Sequence, residues 1–161
     1  MRKRTVSLLT RDFVIPPGSP GEDGNKASAI VLAISMPPEL VGQRFVATMK
    51  LTLNNNQKGW FAHDQLMGAG LAMSPGSWKE GKVMSDAEYN ALRFIHSIDG
   101  MNVSGKMHHY PISIVAVNTV AANDRWLVAV ARGNDRGGLF GSKSKGKIEI
   151  GGGAFLQLDT F

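Results

Sequence analysis

The chain has 161 residues, with 18 Lys plus Arg against 13 Asp plus Glu, a net charge of +5 and 43% hydrophobic residues. That length suits one domain, taken here as residues 1–161, and a chain of this size buries enough surface to need no covalent staple. Cysteine is absent, which excludes a disulfide framework, a thiol nucleophile, an iron–sulfur cluster and cysteine-ligated zinc.

The 19 glycines exceed the usual share of roughly 7% and favour short elements joined by many turns. The chain opens on Met1-Arg2-Lys3-Arg4, read as a short basic arm over residues 1–4. This start is like that of a signal peptide, but Arg11 and Asp12 interrupt it before an apolar core develops. No apolar run approaches the roughly 20 residues of a membrane helix. The expectation is a cytoplasmic product without membrane contact.

Residues 5–9 and 13–15 read as short strands. Pro16, Pro17, Gly18, Pro20, Gly21 and Gly24 make a loop of about 16–26, because proline and glycine at this density prevent regular structure. The apolar run at 27–35 reads as a buried strand ended by Pro37-Pro38. Residues 44–53 carry the clearest pattern. Phe45, Ala47, Met49, Leu51 and Leu53 alternate with Arg44, Val46, Thr48, Lys50 and Thr52, as in a strand with one buried face.

Residues 67–82, with Gly68, Gly70, Pro75, Gly76 and Gly81, read as a long loop. Ser85 and Glu88 then form a capping box, in which each side chain satisfies a backbone N–H left free by the first helical turn. Ala91, Leu92, Ile95 and Ile98 continue at helical spacing, which predicts one helix over about 86–98, stopped by Gly100. Residues 112–117, 126–131, 147–150 and 154–158 read as strands. Seven or eight short strands without strand–helix alternation predict a mainly β fold. The class is an antiparallel β-sandwich, jelly-roll-like, or a partly open barrel.

No motif points to a catalytic site, a cofactor or a metal. Gly141-Ser142-Lys143-Ser144-Lys145-Gly146-Lys147 has phosphate-loop spacing, but Ile148 stands where the magnesium-binding hydroxyl belongs, and a strand follows instead of a helix. His63-Asp64, His96, His108 and His109 lack metal-ligand spacing, and adjacent His108 and His109 point to opposite faces of an extended segment. They would be the candidates for a small enzyme or ligand-binding barrel. Most acidic residues stand beside turn residues, where they cap and solvate.

The basic residues cluster at Arg2, Lys3 and Arg4 and again at Arg136, Lys143, Lys145 and Lys147. Such clusters can neutralise phosphates and release counterions. Trp126 and Phe140 lie near enough in sequence to stack on bases. These seven basic residues are the candidate contacts with nucleic acid or a protein partner. An OB-like single-stranded nucleic-acid-binding protein is the alternative function they imply.

His109-Tyr110-Pro111-Ile112 leads into a strand, and a glycine-punctuated strand pair, 126–131 and 154–158, runs to the C-terminus. In this the chain resembles the small β-sandwich structural proteins of icosahedral viruses, namely single jelly-roll coat subunits and the major spike proteins of microviruses. That resemblance implies a non-enzymatic capsid, spike or decoration subunit of a virus or phage, without cofactor. It also implies homo-oligomers, contacts with other structural subunits, and location in a virion assembled in the host cytoplasm. Such folds carry no signature motif, so the resemblance assigns no functional residue.

Overall fold

The computed structural model is described for residues 2–15, 26–55, 65–76, 78–103, 108–135 and 148–161. Two antiparallel sheets pack face to face and do not close into a barrel, so the sandwich, and not the partly open barrel, is the fold.

The first sheet holds β1 (Lys3–Leu8), β2 (Phe13–Ile15), β4 (Arg44–Asn55), β8 (His108–Thr119), β10 (Ile148–Ile150) and β11 (Phe155–Thr160). The second holds β3 (Lys26–Ser35), β5 (Gln65–Ser74), β6 (Val83–Met84), β7 (Arg93–Val103) and β9 (Trp126–Asp135). A one-turn 3-10 segment, Pro38–Leu40, follows β3. The pairings nest: β5 with β7, β4 with β8, and β3 with β9. A long two-stranded ribbon is thus rolled across both sheets, which is the jelly-roll arrangement.

The alternation in β4 is realised as expected. Phe45, Ala47, Met49, Leu51 and Leu53 are buried, and they meet Met36, Leu71, Met73, Leu127, Ile114 and Leu156 in the central core. Burying each of the larger of these side chains contributes about 1.5–3 kcal/mol. A second cluster lies on the outer face of the second sheet, where Ile30, Ala72, Val128 and Val130 are covered by Trp78, Met84, Tyr89 and Leu92 from residues 78–92.

The helix is shorter than its spacing predicts. Ser85 Oγ accepts from the Glu88 N–H, as the capping box requires, but α1 covers only Asp86–Asn90. Residues 93–98 are not helical; they begin β7, an edge strand paired with β5. The cause is a pair of β-bulges. The register shifts between Met67 and Ala69 and between Leu71 and Ala72, each time adding one residue to β7. The extra residues stretch the inward repeat from two to three, so Ile95, Ile98 and Met101 all reach the core. A three-residue apolar spacing made by bulges imitates one turn of helix.

The reading of 67–82 as a loop is also corrected, because its first half is β5, between β9 and β7. Gly68 and Gly70 are not turn residues there. A Cβ on Gly68 would stand 2.6 Å from Asp99 Oδ1 and 2.9 Å from the Ile98 carbonyl oxygen. A Cβ on Gly70 would stand 3.0 Å from the Phe94 ring. Close cover by the bulged β7, and not chain reversal, demands glycine.

Candidate assembly surface

The outer face of the first sheet is built in rows by the strand register. One row runs Leu8, Phe155, Lys50, Ser113 across β1, β11, β4 and β8; the next runs Val6, Gln157, Thr48, Val115; the third runs Arg4, Asp159, Val46, Val117. Alternation sends these side chains away from the core. Half of these twelve residues are apolar, and four of them stand well out: Val6 is 53% exposed, Leu8 55%, Val115 62% and Val117 58%. Among the described residues nothing covers them, whereas residues 78–92 cover the corresponding face of the second sheet.

The N-terminal basic residues belong to this face and its edge. Lys3 and Arg4 lie in β1, paired with Thr160 and Asp159, and so are part of the sheet. Arg4 Nε donates to Asp159 Oδ1 at 2.8 Å, Arg2 Nη2 lies 3.2 Å from Oδ2, and Gln157 Nε2 donates to Oδ2 at 2.7 Å. The Arg4 hydrogen bond brings the Asp159 carboxyl down to about 2, with Arg2 and Gln157 adding to it and burial opposing it. Arg2 also lies over the Phe161 ring, 5.7 Å from its centroid. Two of the candidate contact residues are therefore held by one carboxylate, while Lys3 is exposed beside them. Arg136, Lys143, Lys145 and Lys147 lie outside the described residues.

At the far end of the same face a polar row runs Val14, Glu149, Asn54, His109. His109 Nδ1 donates to Asn54 Oδ1 at 2.7 Å, and Asp12 Oδ1 accepts from the Gly152 N–H at 2.6 Å. Burial raises the Glu149 carboxyl, the neighbouring Asp12 raises it further, and His109 opposes both. The sequence marks Asp12 as a turn residue and gives no sign that it meets Glu149, since the two are joined only by the β2–β10 pairing. Asp159 was missed for the same reason: its partners lie at the other end of the chain. Beside this row is a shallow groove of about 410 Å³, open to solvent, lined by Lys50, Thr52, Pro111, Ser113 and Gly152.

The other candidates are dispersed. His96 is exposed on β7, His63 and Asp64 lie outside the described residues, and no described group of three His, Asp or Glu side chains could hold a metal. Trp126 packs partly buried in the second cluster. Arg132 stacks on Tyr89 at 4.4 Å, over a crevice too narrow for a water-sized sphere. Among the described residues no helix is long and apolar enough to cross a membrane.

No protein-family model matches the sequence, and no curated protein does. The fold is similar to solved viral structures. In infectious bursal disease virus, Gx strain, the match covers 99% of this chain at 10% identity with a TM-score of 0.54. In the Gt strain it covers 98% at 9% identity with a TM-score of 0.50. The VP2 subviral particle of the same virus matches over 98% at 9% identity with a TM-score of 0.49. In each case the match spans only 32% of the viral chain. The Gx and Gt matches bear out the resemblance to viral β-sandwich proteins for the fold alone.

Proposed function

We propose that the chain is a non-enzymatic structural subunit of a self-assembling particle, a capsid, spike or decoration protein of a virus or phage. One observation carries the reading: on one outer sheet face Val6 with Leu8 and Val115 with Val117 are more than half exposed and, among the described residues, uncovered, while the other outer face is covered by residues 78–92. Large apolar side chains left paired at the two edges of a sheet suit contact with another protein. The capsid-like fold of the viral neighbours supports the same role. The partners are further copies of the chain and other structural subunits. The place of action is the virion, with assembly in the host cytoplasm, and no cofactor takes part.

Arg2, Lys3, Arg4, Arg136, Lys143, Lys145 and Lys147 are the candidate contacts with nucleic acid or a partner, Arg2 and Arg4 being paired with Asp159 yet more than half exposed. Size-exclusion chromatography with light scattering at low and high salt, followed by electron microscopy, tests the proposal. Salt-resistant oligomers or symmetric particles are expected. A monomer that binds single strands at low salt and releases them at high salt would overturn it in favour of a nucleic-acid-binding module.

A further inference from the structure

Sheet edges expose unpaired N–H and C=O groups, and proteins that stay apart blunt them with charge, proline, bulges, brevity or cover. Most edge strands described here carry such a device. β1 presents Lys3 and Arg4, β2 and β6 are three and two residues long, and β7 carries two bulges together with Arg93 and Asp99. β8 carries only one, Pro111 near its start, and residues 112–119 have none. The strand is 12 residues long, pairs with β4 in unbroken register, contains no Lys, Arg, Asp or Glu, and among the described residues has no strand on its other side.

The direction of the free groups follows from two bonds at Val120. The Val120 N–H donates to the Gln43 carbonyl at 3.0 Å, and the Val120 carbonyl accepts from the Gly42 N–H at 2.9 Å. Even-numbered residues of β8 therefore face β4 and odd-numbered ones face outward. Pro111 has no N–H, and the Thr119 N–H is taken by Asn118 Oδ1 at 2.7 Å. Between these two, Ser113, Val115 and Val117 each offer a donor and an acceptor to a further strand. Their side chains lie on the uncovered face.

We infer that β8 is a homotypic pairing edge, on which a second copy of this chain adds its own β8 antiparallel about a two-fold axis through Val115. Val115 then stands opposite its equivalent, and Ser113 opposite the second copy's Val117. The first sheet runs on across the axis, and the four valines join in one apolar stripe. Two copies carrying +5 each repel, so they meet best where no like charges come into register, and residues 111–119 of β8 hold no charged side chain. A two-fold contact also needs a self-complementary strand, and the 113–115–117 set is one.

This inference rests on the self-assembly proposed above, and the test separates the two. Because the chain has no cysteine, Val115→Cys places a single thiol on each copy. Opposed Cα atoms in a hydrogen-bonded pair lie about 5.5 Å apart, within the span of a disulfide. Mild oxidation is expected to give a disulfide dimer from Val115→Cys and none from Val6→Cys, on the opposite edge. Val115→Lys, at an exposed side chain, is expected to weaken association roughly tenfold or more by setting two charges face to face. Oligomers that form without the Val115 cross-link and are indifferent to Val115→Lys would overturn the β8 edge and leave the structural role standing. A cross-linked dimer that never grows would uphold the edge and overturn the particle. A chain that stays monomeric, without cross-link, at the highest attainable concentration would overturn both.

Discussion

Asp159→Asn probes the ion cluster that captures the N-terminal arginines. The fall of the carboxyl from its ordinary 3.8 to about 2 corresponds to about 2.4 kcal/mol at full strength. The Asp159 side chain is only 3% exposed, but those of Arg2 and Arg4 are 56% and 54% exposed, so water and salt screen much of this. A loss of about 1–2 kcal/mol at pH 7 is expected. A lowered pKa means that the unfolded chain binds the proton more readily. The stabilisation is therefore complete above about pH 4 and vanishes as the pH falls through about 2. Urea unfolding of the parent chain and of Asp159→Asn, from pH 7 down to pH 2, reads the difference directly. It should converge at the acid end, shrink in high salt, and be largely absent in an Arg4→Ala background. A difference that is constant with pH would show that Asp159 contributes by packing alone, and would return Arg2 and Arg4 to the pool of free phosphate contacts.

Three further outcomes test the architecture. Met49→Lys should abolish cooperative folding, because it places an unpaired charge in the core, whereas Thr52→Lys, on the opposite face of β4, should shift the urea midpoint little; equal tolerance would mean a wrong register. Glu149→Gln should stabilise the chain at pH 7 by removing a charge that burial and Asp12 disfavour, and the gain should fade as the pH falls below the raised Glu149 value, measured by thermal melts across pH 4–7. Gly68→Ala should cost about 1–3 kcal/mol, since the new methyl would press on the Ile98 carbonyl and the Asp99 carboxylate, and chemical denaturation showing no loss would refute the close cover by β7.

Local pattern determined much of this protein by itself. The two-residue alternation of 44–53, the strands near 5–9, 112–117 and 126–131, and the Ser85–Glu88 cap depend on neighbours in sequence, and each stands where the pattern places it. Non-local pairing decided the rest. Ile95 and Ile98 repeat as in a helix, yet two bulges against β5 set that repeat in a strand. Gly68 and Gly70 have turn composition, yet they lie inside a sheet because β7 passes too close for a side chain. The same holds for the surface. Composition brings the basic residues into view, but only the β1–β11 pairing sets Arg4 against Asp159, and only the β2–β10 pairing brings Glu149 to Asp12. The bareness of β8 is written in its residues as an absence of charge. That it is an edge follows from which strands pair, and chain neighbours do not fix that.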